Sequence, residues 1–103
     1  MTNQLQIINQ LFEIQTKINT LGEANNFERN FNRLFSIFEE EGFTMQDPTN
    51  ETYSEARTDC EASIVGQAAS NMKITKTIKP IIYKKVDGNL QLVQKAVVMV
   101  EKK

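Results

Sequence analysis

The chain has no histidine and no tryptophan, and only one cysteine, two prolines and four glycines among its 103 residues. Without histidine it lacks the usual general base at neutral pH and the commonest nitrogen ligand for metals. A single cysteine, Cys60, can neither close an intramolecular disulfide nor build a zinc site, which fits a reducing, cytoplasmic setting. Its expected role is a small buried apolar side chain rather than a reactive thiol. The glycines are scattered at turns, so the chain carries no phosphate-cradling loop, dinucleotide fingerprint or nucleophile elbow. No run approaches the ~20 apolar residues that span a bilayer. The opening MTNQLQIINQ has neither the basic nor the apolar region of a signal peptide. The acidic runs Glu39-Glu40-Glu41 and Asp59-Cys60-Glu61 read as solvated surface, with no second functional group beside them. No catalytic residue, metal or cofactor is expected: this composition belongs to a binding protein, not an enzyme.

What is present suits one globular domain with one modest core. Hydrophobic content is 40%, charged content 24% and net charge −1. The charge is unevenly spread. Residues 1 to 70 hold 4 Lys/Arg against 11 Asp/Glu, a balance of −7, whereas residues 71 to 103 hold 8 Lys against 2 acids, a balance of +6. Two accounts of the basic half stay open here. The lysines guard strand edges against aggregation, or they form a docking face for an acidic partner.

The first part of the chain is patterned for helices. Ile7, Leu11, Ile14, Ile18 and Leu21 step by 4, 3, 4 and 3, a heptad seam over two heptads. Leu5, Ile8 and Phe12 widen the stripe enough for more than one packing neighbour. Gly22 predicts the end of this helix. Phe27, Phe31, Leu34 and Phe38 repeat the spacing, with Phe35 beside them, and predict a second helix from residue 27 to about 41, ended by Gly42. The aromatic stripe is read as core rather than as a ligand pocket. Residues 50 to 58 are expected to add one helical turn after Asp47-Pro48.

From Cys60 onward the signal is β. Ser63-Ile64-Val65 predicts a short strand and residues 66 to 71 a linker. Residues 72 to 103 read as two strands joined at Asp87-Gly88, the pair of left-handed residues that a type I′ hairpin turn demands. Met72, Ile74 and Ile78 alternate with Lys73, Thr75, Thr77 and Lys79, giving an apolar and a basic face. Pro80 predicts an edge or a bulge. The last strand is apolar on both sides, with Leu90, Leu92, Ala96, Val98 and Val100 on one and Val93, Val97 and Met99 on the other, so a central place is expected for it. Lysines 73, 76, 79, 84, 85 and 95 suit phosphates. Yet Tyr83 is the only aromatic of this half and no arginine lies in it, which disfavours nucleic acid as the partner.

The segment Ile78-Lys79-Pro80-Ile81-Ile82-Tyr83, a glycine turn, and then residues 92 to 100 (LVQKAVVMV) resemble the C-terminal β-domain of the GrpE family, the nucleotide-exchange factors of Hsp70 chaperones. Upstream, residues 31 to 43 (FNRLFSIFEEEGF) and Asp47-Pro48 followed by Tyr53-Ser54-Glu55-Ala56 are similar to the family's short acidic-ended helix and its Asp-Pro segment, in the same order. Departures are visible: Gln46 and Ser54 stand where the family has phenylalanine and histidine, Lys95 where it has proline, and Gln91 and Gln94 where it has arginines. The family's long paired helix ahead of the bundle has no counterpart here, so stalk contacts are not expected.

The resemblance implies an α+β fold: a helical dimerisation region (1 to 45) forming a four-helix bundle across a two-fold axis, then a small antiparallel GrpE-like β-domain (46 to 103). It implies a homodimer through Ile7, Leu11, Ile14, Ile18, Phe27, Phe31, Leu34 and Phe38. With the basic balance, it implies a face for the nucleotide-binding domain of an Hsp70-type ATPase at Lys76, Lys79, Tyr83, Lys84, Gln91, Gln94 and Val100. The activity implied is adenine-nucleotide exchange. The alternative is a dimerisation or adaptor module that keeps the fold without exchange. No membrane partner is expected.

Overall fold

Heptad-spaced apolar residues in a first segment that lacks glycine and proline make a helix there the low-energy choice, and the chain takes it. The computed structural model describes residues 3–22 and 24–103. Helix α1 spans Asn3–Thr20 and α2 spans Ala24–Glu40. The first helix ends at Thr20, just before the left-handed Gly22 (φ 78°) that predicted its end. The second begins three residues before its apolar periodicity does, because polar residues at its start carry no periodic signal. Its end is fixed by Gly42, whose φ of 95° is left-handed and whose carbonyl accepts a 2.8 Å bond from the Lys85 amide. An added Cβ there would stand 3.5 Å from the Lys85 carbonyl oxygen, on a backbone conformation that side chains disfavour.

Seven strands follow: β1 (Phe43–Gln46), β2 (Thr52–Tyr53), β3 (Cys60–Ile64), β4 (Met72–Lys79), β5 (Ile81–Val86), β6 (Asn89–Gln94) and β7 (Ala96–Lys102). The fold is α+β, but the strands form two sheets rather than one. A three-stranded antiparallel sheet has the order β1-β5-β6, and a four-stranded mixed sheet has the order β2-β4-β7-β3. The expected wholly antiparallel arrangement is corrected by β3, which pairs in parallel with β7 from Cys60↔Ala96 to Ile64↔Val100. Strand direction leaves no mark on a five-residue pattern. The expected helical turn at 50 to 58 is absent as well: that segment forms β2 and a turn. The boundary expected between 45 and 46 falls inside β1.

The predicted two-stranded ribbon is a hairpin bent in the middle. Asp87 (φ 52°) and Gly88 (φ 83°) make the left-handed pair at its tip. Next to the tip, β5 pairs with β6. Beyond Pro80 and Lys95 the same two arms become β4 and β7 and belong to the other sheet. Pro80, which has no N–H for a ladder, sits at the break. Register shifts flank it, between Thr77 and Lys79 and between Ile82 and Tyr83. A further shift between Ile74 and Lys76 breaks the expected alternation: Thr77 turns inward (5% exposed) and Ile78 turns out (49% exposed). Thr77 is accommodated because its hydroxyl meets that of Thr49 at 2.8 Å. The central place expected of the last strand holds for β7 only, since β6 is an edge.

Adjacent residues of β5 point to opposite faces and feed two cores. Ile81 joins Cys60, Met72, Ile74, Ala96, Val98 and Val100 in the core of the four-stranded sheet. Ile82 joins Leu5, Ile8 and Phe43, with Phe35, Phe38 and Met45 packed around them, where the helices cover the three-stranded sheet. The helices and the β-half therefore share a core. A clasp reinforces the joint: Gln94 Nε2 donates to Asn9 Oδ1 (2.8 Å) and to the Pro80 carbonyl (2.9 Å), and Asn9 Nδ2 donates back to Gln94 Oε1 (2.8 Å).

The molecule is a plate, 40 × 38 × 19 Å. Its radius of gyration, 14.6 Å, exceeds the ~12.8 Å typical of this length. Its surface, 7040 Å², exceeds the ~5900 Å² typical of this mass.

Candidate protein-docking faces

The helix seam divides between inside and outside. Leu5, Ile8 and Phe12, about a third of a turn from the seam, are the buried residues of α1. Ile7 (49%), Ile14 (45%) and Leu21 (76%) stay exposed, as do Phe27 (42%), Leu34 (37%) and Ile37 (46%) on α2. Leu11 and Ile18 are half-buried. Two of the residues expected at a dimer contact are placed differently. Phe31 is buried within the chain and stacks on Phe35 at 6.4 Å. Phe38 meets Phe43 edge-on at 6.5 Å, in the core between helix and sheet. A single apolar stripe cannot reveal from spacing alone which of its margins the chain's own sheet will cover.

The residues expected to meet a partner do not converge on one surface. Lys76 and Lys79 are exposed on β4, beside α1. Lys84 lies on the helix-covered side of β5, its Nζ 4.9 Å from the centre of the Phe43 ring, with Gln91 opposite it on β6. Tyr83 points the other way and packs on the core of the four-stranded sheet. Gln94 is spent in the clasp with Asn9. Val100 is fully buried. The last three are thus structural side chains: β7 is covered on the face where a surface valine was expected, because β3 and β4 flank it and the core closes over it.

Between α1 and β4 runs a groove of about 640 Å³. One wall is α1 from Asn9 to Leu21, the other Lys76-Thr77-Ile78-Lys79. Lys17 at its rim pairs with Glu13 at 3.5 Å, a fully solvated i,i+4 contact of small value. Thr16 and Thr20 turn their hydroxyls back to the carbonyls of Phe12 and Thr16. On the helix wall Glu13, Thr16, Lys17 and Thr20 find partners within the helix and Asn9 finds Gln94, while Lys76, Lys79, Ile78 and Leu21 remain open.

One cation went unnoticed in the sequence. Arg57 binds Asp59 in bidentate fashion (2.9 and 3.1 Å), reaches Glu51 at 3.1 Å and donates to the Thr52 carbonyl at 3.2 Å. It is the only cation between Arg33 and Lys73, with Glu51, Glu55, Asp59 and Glu61 close by in the chain, which was the available signal. The hydrogen bond from Arg57 holds the Asp59 carboxyl below its ordinary value, and Asp59 in return raises the guanidinium. The clamp orders the loop leading into β3. Next to it, burial pushes the Cys60 thiol up to about 11, so it is protonated and shielded at neutral pH.

Among the described residues, no group of three or more His, Cys, Asp or Glu side chains is placed to hold a metal ion. No described helix is long and apolar enough to cross a membrane. No family model, curated protein or solved structure matches this chain.

Proposed function

We propose that this chain is a dimeric, protein-binding module of GrpE type that speeds adenine-nucleotide release from an Hsp70-type ATPase. The observation that carries the reading is the bent ribbon of residues 72 to 102 behind a helical pair, with Lys76, Lys79, Lys85, Lys95 and Lys102 solvent-exposed on it. The mechanism is differential binding. The β-half binds the open nucleotide cleft more tightly than the closed one and so shifts the partner's equilibrium. A hundredfold faster release needs a preference of about 2.8 kcal/mol. A few well-placed contacts on a rigid platform supply that much.

Dimerisation through the helices is supported by area. The surface exceeds that of a typical monomer of this mass by about 1100 Å², close to the ~800 Å² that each partner gives to a standard interface. The exposed Ile7, Ile14, Phe27, Leu34 and Ile37 supply its apolar centre.

A second reading is a dimeric adaptor without exchange activity. The burial of Val100 favours it, because that residue stands where the family meets its partner. Release of a fluorescent nucleotide from the Hsp70 of the same cell, followed by stopped flow with and without this protein, separates the two. Faster release that K76E/K79E weakens supports exchange. Binding with an unchanged off-rate supports the adaptor, and no binding at all removes both.

A further inference from the structure

We propose that the groove between α1 and β4 receives an extended, acidic peptide segment of a partner protein, which adds to the outer edge of β4 as a further strand. The inference is independent of whether the partner described above is an Hsp70.

The first support is an open edge. Strand β2 is two residues long and pairs only with Lys73 and Met72. The next position, Ile74, spends its amide and carbonyl on Glu51 and Asn50 of the same loop (2.9 and 2.8 Å). From Thr75 to Lys79 no described strand lies along that side of β4; the loop before β2 touches it only through the Thr49 hydroxyl at Thr77 (2.8 Å), while β7 pairs the other side with two register shifts. Main-chain groups on an open edge are the recognition element of strand addition, and pockets for alternate side chains add selectivity.

The second support is size. From Asn9 to Leu21 the helix wall is about 18 Å long, at 1.5 Å per residue. The four residues of β4 that line the groove, Lys76 to Lys79, extend about 13 Å, so the helix wall runs past both ends of a strand segment added there. A groove of this volume lies within the usual range for ligand sites.

The third is chemistry. The irregularity between Ile74 and Lys76 turns Ile78 to solvent at 49% exposure, facing the groove with Leu21. Lys76 and Lys79 flank it. An edge guarded against aggregation is blunted by charge alone or by cover. Here an apolar side chain sits between two cations, which suits a strand with an apolar residue flanked by carboxylates. Lys17, already shared with Glu13, adds a third cation at the far rim.

The test uses the full chain and a short fluorescein-labelled peptide alternating glutamate and valine, read by anisotropy at low salt. We expect saturable binding, weakened about tenfold or more by K76E/K79E, and lost when the peptide carries alternate N-methylated amides that cannot join a ladder. Ile78→Thr, a surface change, lowers affinity while circular dichroism stays unchanged. Equal binding of the N-methylated peptide overturns strand addition. Equal competition by oligothymidylate overturns the choice of peptide over nucleic acid, and no binding to the folded protein overturns the proposal.

Discussion

Gln94→Leu tests whether the clasp between helix and ribbon is structural or part of a partner's footprint. The substitution roughly keeps the volume and removes every polar atom. Three hydrogen bonds of 2.8 to 2.9 Å disappear, and Asn9 and the Pro80 carbonyl are left without them. At about 1 kcal/mol net for each bond the loss would be about 3 kcal/mol. The site is half-buried, so water replaces part of it and about 2 kcal/mol is the better figure. An unfolding entropy of ~2.1 cal/mol/K per residue turns that into a fall in Tm of about 9 °C. Calorimetry measures it directly. A double-mutant cycle with Asn9→Ala should give a coupling of about 1 to 2 kcal/mol, since the two amides bond each other twice. Docking to the proposed Hsp70 partner should be unchanged in the folded Gln94→Leu protein. If instead Tm holds within 2 °C, roughly 0.5 kcal/mol, while docking is lost, Gln94 faces a partner and the reasoning fails.

The proposed dimer predicts a wild-type particle of twice 11.8 kDa, which Ile14→Asp with Leu34→Asp should turn into a monomer with an unchanged circular dichroism spectrum, because both positions are exposed in the single chain; light scattering decides it, and a wild-type monomer would refute the dimer. Cys60 should resist alkylation at pH 8 in the native state and react at once in urea, as followed by mass spectrometry. Its pKa is raised in the fold, so its contribution is complete below the unfolded value near 9 and is lost as pH climbs toward about 11. Asp59 works in the opposite sense. Its pKa is lowered, so its contribution is present above the ordinary carboxylate value of 3.8 and is lost as pH falls through the lower native value. Asp59→Asn should therefore destabilise the protein at pH 7 and flatten its acid unfolding curve, and an acid limb identical to wild type would contradict the clamp.

Much of the architecture was legible because local chemistry and tertiary structure agree. Leu11 and Leu34 lie in seams whose 3.6-residue period no sheet could satisfy, and Asp87-Gly88 admits hardly any turn but the one observed. The misreadings share a cause. Ile78 and Thr77 exchanged faces because the irregularity between Ile74 and Lys76 inverts the positions that follow it, and periodicity has no memory of such a slip. Val100 could be read as surface or core while its neighbours across the sheet were unknown. The groove was invisible because its walls lie some 60 residues apart in the chain, and the sequence showed only the two lysines on one of them.

The bent ribbon also sets how the molecule assembles. Its tightest pair, Val86 with Asn89, is three residues apart, and each further pair is reached by zipping outward to Met72 with Lys102. No new loop has to be closed along the way, so the ribbon escapes most of the entropy that slows distant pairings. The contacts that do span the chain, Phe43 with Lys84 and Cys60 with Ala96, then find a strand already waiting on each side of the corner. Substitutions at Asp87 or Gly88 should accordingly slow folding, whereas those in the clasp or in β3 should mainly hasten unfolding. A short β-half with two sheets can thus form quickly from one nucleus.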